Sequence, residues 1–223
     1  LGVENFNDHI LETNGRAHRS GKVFQAYELA RKLEFENINI DLIAGMLEET
    51  DENWSDCIDR TIELSPDCVT IYQMEIPFNT TIFKNMQAEK KRAAPVADWP
   101  TKRRWVTEAF ERLENAGYSI TSTCTAVKNP EETKFIYRDR LWSGADMVAL
   151  GVASFGHLGG IHYQNLTHIE QYCDAMEEDS SIIRRALLTT EEERFIRELI
   201  LQWKLGKVSI GYFKEKFGID LKD

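Results

Sequence analysis

Strand-like segments recur along the first part of this chain at the period of a βα repeat, and that spacing most constrains its fold. Val3 and Ile38 lie 35 positions apart, and Ile40 and Ile71 lie 31 apart. Strands so spaced, with a helix between them, pair in parallel through right-handed crossovers. Leu1-Gly2-Val3 reads as the end of a strand, so the chain is expected to begin inside a domain. Residues 37–43 (Asn-Ile-Asn-Ile-Asp-Leu-Ile) and 68–74 (Cys-Val-Thr-Ile-Tyr-Gln-Met) are the next two strands. Between them Trp54, Cys57, Ile58, Thr61 and Ile62 mark one face of a helix over Asp51 to Leu64. Thr50 is its N-cap, Asp51 and Glu52 suit its dipole, and Ser65-Pro66 stops it. A second helix spans Lys22 to Phe35, with Ser20 as N-cap and Val23, Ala26, Tyr27, Ala30 and Leu33 on one face. In parallel α/β architecture the loops at the carboxyl ends of the strands gather on one rim, where ligands bind.

Beyond residue 85 the pattern changes. Residues 86–100, with Lys90-Lys91-Arg92, Pro95 and Pro100, read as a loop. Thr101 to Ala116 is helical, with Trp105, Ala109, Leu113 and Ala116 on one face and Gly117 as the stop. Tyr118 to Val127 is strand-like. Five of the thirteen glycines fall at 144, 151, 156, 159 and 160, implying backbone passing close to something bulky. Leu188 to Asp223 reads as helix, turn, helix. Its start is marked by Thr189-Thr190-Glu191-Glu192-Glu193, its apolar stripe by Phe195, Leu199 and Trp203, and its breaks by Gly206, Ser209 and Gly218. Charge supports three segments. Residues 1–85 carry 7 basic and 16 acidic side chains, residues 86–180 carry 11 and 14, and residues 181–223 carry 9 and 7. The net charge of −10 argues against generic nucleic-acid binding. That applies also to the tail, which could otherwise be a winged-helix-like module; a packing cap or substrate lid suits it better. No apolar run is long enough for a membrane span. Cys57, Cys68, Cys124 and Cys173 are widely spaced, with Cys57 and Cys68 in core positions, and reduced thiols fit a cytoplasmic protein.

A few residues could carry chemistry. Asp41 interrupts an apolar strand, either as an acceptor for ligand hydroxyls or as a capping or salt-bridging acid. Glu4 and Asn5 follow the first strand and could face the rim. Arg16 could grip a carboxylate there through its planar fork, or be an ordinary surface arginine. Tyr72 could reach a ligand or simply pack. His157, His162 and His168 lack zinc-ligand spacing. Walker-type phosphate loops and G-x-S-x-G elbows are absent.

In order along the chain, several words resemble one family. Gly2-Val3-Glu4-Asn5-Phe6 is similar to GVQSF, and Gly15-Arg16-Ala17-His18 to GR-x-H. Residues 37–45 resemble NINxDLIxG, and Leu64-Ser65-Pro66-Asp67 with Tyr72-Gln73-Met74 resembles LxPDxxSxYxL. Residues 146–156, followed by Tyr163-Gln164-Asn165, resemble DxLGLGxxAxG. The chain resembles the C-terminal part of the radical S-adenosylmethionine (SAM) family of oxygen-independent coproporphyrinogen III oxidases, the HemN-like proteins.

The resemblance implies an α/β fold: part of a radical-SAM (β/α) barrel over 1–85, and a barrel-completing, substrate-side α+β region over 86–180. A small helical C-terminal subdomain over 181–223 completes it. It implies SAM and a [4Fe–4S] cluster, and a 5′-deoxyadenosyl radical that initiates oxidative decarboxylation of porphyrinogen propionates. It implies a porphyrinogen substrate and an electron-donor protein. Glu4 and Asp41 would contact the cofactor's ribose region, Arg16 its methionine carboxylate, and Tyr72 and the glycine-rich stretch would lie near cofactor or substrate. The sequence departs from the family in three ways. It lacks C-x-x-x-C-x-x-C, whose thiolates would hold the cluster and are expected upstream of Leu1. This chain alone is therefore expected to bind neither the cluster nor SAM stably, and to be inactive. Glu4 stands where the family has Gln. Residues 137–142 lack the HNxxYW words of haem-chaperone relatives. A methyltransferase or cyclopropanase of the same class, or a haem-binding relative, are the rival expectations.

Overall fold

The computed structural model describes residues 1–77, 80–88 and 96–222, and leaves out the side chains of residues 81, 82, 85 and 86. The chain divides into two compact units, Leu1–Lys134 and Phe135–Asp223, with the boundary inside the 86–180 segment.

The first unit is built on a five-stranded sheet of order β1-β2-β3-β5-β4. Strands β1 (Gly2–Glu4), β2 (Asn39–Ala44) and β3 (Cys68–Gln73) run parallel, as the βα spacing requires. The helices between them are α1 (Asp8–Thr13), α2 (Ser20–Lys32) and α3 (Asp51–Leu64). Helix α3 matches expectation at both ends: Thr50 Oγ1 caps Asn53 N, and Ser65 ends the helix in the left-handed region. Helices α4 (Thr81–Ala88) and α5 (Trp99–Asn115) follow.

One sheet face is apolar. Ile40, Leu42 and Ala44 of β2 are buried with Val3, Val69, Ile71 and Ala126, against Trp54 and Ile58 of α3 and Trp105, Ala109 and Leu113 of α5. Trp54 Nε1 donates to Trp105 O at 3.0 Å, which satisfies the one polar atom that this ring buries. Each buried Val, Leu or Ile side chain among them contributes roughly 1.5–3 kcal/mol by leaving water. The alternate residues of β2 (Asn39, Asp41, Ile43) are only partly buried and point to the opposite face, by the period of two.

Four sequence expectations need correction. Ser20 is the first residue of α2, not its cap; its amide is taken instead by Asp8 Oδ1 at 2.7 Å, a long-range cap invisible to local pattern. Leu33 and Ala26 lie on the exposed side of α2, and only Val23 and Tyr27 are buried. Residues 86–88 belong to α4, and Pro100 lies in the first turn of α5 below the Asp98 cap, where a missing N–H costs nothing; Lys90, Lys91, Arg92 and Pro95 lie outside the described residues. Tyr118 to Val127 is a hairpin, β4 (Ser119–Ser122) and β5 (Thr125–Val127), with β5 antiparallel to β3.

The second unit holds α6 (Ile136–Trp142) and an antiparallel sheet of β6 (Phe155–Leu158), β7 (Ile161–Asn165) and β8 (Ile183–Leu188). Helix α7 (Ile169–Glu177) separates β7 from β8, and α8 (Glu191–Trp203) and α9 (Ile210–Phe217) form the expected helical tail. Thr190 and Glu193 make the anticipated capping box. Trp203, expected in the apolar stripe, is exposed. The bulky neighbours of the glycine-rich stretch are side chains of the same unit: a Cβ at Gly156 would lie 2.3 Å from the Tyr163 ring, and one at Gly144 2.3 Å from Tyr212 Oη. Tyr212 Oη in turn donates to buried Glu198 (2.6 Å), which also accepts from Lys216 Nζ (2.8 Å). Among the described residues no helix is long and apolar enough to cross a membrane.

Candidate ligand site on the polar face of the parallel sheet

The face of the parallel strands turned away from the helices carries polar side chains in register. Gly2 lies opposite Asp41, Asp41 opposite Thr70, and Thr70 opposite Thr125. A chain of hydrogen bonds runs across it: Thr70 Oγ1 donates to Asn39 Oδ1, and Asn39 Nδ2 donates to Asp41 Oδ1, both at 2.9 Å. Asp41 is thus the acceptor end of a relay, with a second carboxylate oxygen available for a ligand donor.

Glu4 ends β1 with φ +67, a left-handed conformation that costs an ordinary side chain about 1–2 kcal/mol. This breaks the register after Gly2 and folds the side chain back over the strand; a Cβ at Gly2 would lie 3.6 Å from Glu4 Oε1. The Glu4 carboxylate forms an ion pair with Arg16 Nε. The two atoms in contact, Glu4 Oε2 and Arg16 Nε, are both buried.

The loop carrying Arg16 is held on both sides. Arg16 N donates to Leu11 O at 2.9 Å, and Arg19 Nη1 donates to Arg16 O at 3.0 Å. Asn14 exchanges two hydrogen bonds with Leu47 of the β2–α3 loop, at 2.9 and 3.2 Å. Behind Glu4, fully buried Asn5 donates to Glu49 Oε1 (2.7 Å), while Glu49 Oε2 accepts from Gly45 N (2.6 Å) and Met46 N (3.1 Å). Burial pushes the Glu49 carboxyl up to about 7 against the opposing pull of these three donors.

The structure therefore brings Glu4 and Arg16 together and sets Asp41 on the same face. Tyr72 stands two residues beyond Thr70 on β3, in register with Ile43 and about half exposed. Sequence reasoning missed Asn39, although its i, i+2 spacing from Asp41 is the signal that places both on one face. It also missed the Asn5–Glu49 tie, which no local pattern announces. An arginine fork and a carboxylate acceptor on one face suit a ligand bearing both a carboxylate and hydroxyls, as SAM does.

The thiols do not suit an iron–sulfur cluster. Cys57 and Cys68 are buried, Cys124 sits in the β4–β5 turn and Cys173 is exposed on α7. Among the described residues no three His, Cys, Asp or Glu side chains converge on a metal-binding point.

Three parallel strands extended by an antiparallel hairpin, with helices packed on one face and polar side chains on the other, define an α/β protein. Comparison with known proteins then narrows this class. No family model matches the sequence. The chain is 26% identical over 222 residues to the haem chaperone HemW of Bacillus subtilis, covering 99% of this chain and 57% of that protein. It is 28% identical over 184 residues to the oxygen-independent coproporphyrinogen III oxidase of Thermostichus vulcanus, covering 77% of this chain and 55% of that protein. The chain thus spans about half the length of the curated relatives it matches. The solved structure of coproporphyrinogen III oxidase (HemN) from Escherichia coli, a radical SAM enzyme, has the same fold, with a TM-score of 0.77 at 20% identity over 98% of this chain and 52% of that one. The resemblance to HemN-like radical-SAM proteins holds in both sequence and fold.

Proposed function

We propose that the polar face of the parallel sheet binds SAM, and that the chain supplies this site to a radical-SAM protein acting on a porphyrinogen by oxidative decarboxylation of its propionates. The observation that carries the reading is the grouping of Arg16, Glu4 and Asp41 on one face of the sheet, in a chain similar to oxygen-independent coproporphyrinogen III oxidases. Arg16 grips the methionine carboxylate through its fork. Asp41, oriented by Asn39, accepts from the ribose hydroxyls, joined by Glu4. Tyr72 packs beside the cofactor at the carboxyl end of β3. When bound in a protein that also holds a reducing cluster, SAM would supply the deoxyadenosyl group that takes a hydrogen atom from the substrate. The thiols of this chain do not fit the cluster that such chemistry uses, and the chain alone is inactive. Equilibrium dialysis at high SAM concentration tests the reading: the chain takes up SAM weakly and reversibly, releases no carbon dioxide from coproporphyrinogen by itself, and loses SAM uptake on Arg16→Ala. Unchanged binding in that variant refutes it.

The HemW relatives, matched over nearly the whole chain, favour a second reading as a haem-binding protein. Haem titration separates the two: stoichiometric haem binding without any adenosyl-ligand binding supports the second.

A further inference from the structure

We infer that Glu4 is an internal competitor at the Nε edge of Arg16, so that a ligand carboxylate takes the full guanidinium fork only by displacing it. The inference rests on the SAM-site reading above and adds to it a residue that sets affinity. Three observations carry it. Glu4 holds a left-handed backbone conformation that folds its side chain back over β1. Its carboxylate then lies against Arg16 Nε, one donor of the guanidinium fork best suited on this face to a ligand carboxylate. Both contacting atoms are shut off from solvent, so the carboxylate held at Nε excludes another from that edge. The backbone on either side is fixed, by Asn5 behind Glu4 and by Arg19 on the Arg16 carbonyl, so the exchange needs only side-chain rotation. Once displaced, Glu4 becomes an acceptor for ligand hydroxyls beside Asp41. The carboxylate and hydroxyl ends of one ligand are thereby coupled: filling the first frees a partner for the second.

Calorimetry on the full chain tests this with two ligands that share a nucleoside, S-adenosylhomocysteine (with a carboxylate) and methylthioadenosine (without one). Glu4→Gln keeps the hydrogen-bonding shape and removes the charge. It should tighten S-adenosylhomocysteine by about tenfold and move methylthioadenosine by less than about twofold. Equal effects on both ligands, or no effect on the first, overturn the proposal. If neither ligand binds either protein, the SAM-site reading fails, and nitrogen-15 NMR of the free chain still decides the contact. A slowly exchanging Arg16 Nε–H in the wild type that becomes fast in Glu4→Gln supports it, and fast exchange in both overturns it.

Discussion

Asn5 and Glu49 tie the carboxyl ends of the first two parallel strands together, through a 2.7 Å hydrogen bond between residues 44 positions apart. The carboxylate is otherwise satisfied by the Gly45 and Met46 amides, so one buried acid organises the loops on both sides of the candidate site.

This tie gives the protein a pH dependence of defined sign. Burial raises the Glu49 pKa from 4.5 to about 7. Between those values the native state holds a proton that the unfolded chain has released. Stability contributed by Glu49 is therefore fully present below about pH 4.5, falls as pH rises toward 7, and is flat above. Glu49→Gln should flatten this slope in urea denaturation at a series of pH values; an unchanged slope shows that Glu49 is not the group responsible. Asn5→Ala, which removes a buried partner, should cost about 1–3 kcal/mol at pH 8.

Glycine matters at Gly144 and not at Gly211. Gly144 has φ +92, and a Cβ there would meet Tyr212 Oη and displace it from Glu198. Gly144→Ala should destabilise the second unit by about 2–3 kcal/mol, seen as faster hydrogen exchange in its amides. Gly211 lies in α9 with open space around its Cβ position, so Gly211→Ala should stabilise by about 0.5 kcal/mol. Similar losses in both variants would contradict this account of the glycine positions.

The thiols should differ in reactivity. Cys57 is completely buried and its thiol is pushed far up by desolvation, and Cys68 is also buried, whereas Cys173 is exposed. A thiol reagent under native conditions should label Cys173 fastest and leave Cys57 and Cys68 unmodified until the chain unfolds. Rapid native labelling of Cys57 would show that the α3 face is not packed as described.

What could be read from sequence was whatever local chemistry decides. Helix α3 is bounded by its own Thr50 and Ser65, and the capping box at Thr190 needs only Glu193, so both were legible. The parallel order of β1, β2 and β3 followed from spacing. Ser20 misled because the group that takes its amide, Asp8, comes from another helix. Leu33 and Trp203 continue an apolar period past the region where anything packs against it. The β4–β5 hairpin was hidden because Thr123-Cys124 carries no glycine or asparagine turn signal. At the site, Asp41 stood out as a charge within an apolar strand. The Glu4–Arg16 pair did not, because it depends on a left-handed residue and a returning loop.

The central claim is that Arg16 receives the carboxylate of an adenosyl ligand. Calorimetric binding of S-adenosylhomocysteine to the wild type and to Arg16→Ala, with methylthioadenosine as the reference, tests it most directly. The account predicts a loss of about tenfold or more for S-adenosylhomocysteine, with methylthioadenosine unchanged. An Arg16→Ala protein that binds S-adenosylhomocysteine as well as the wild type would contradict it.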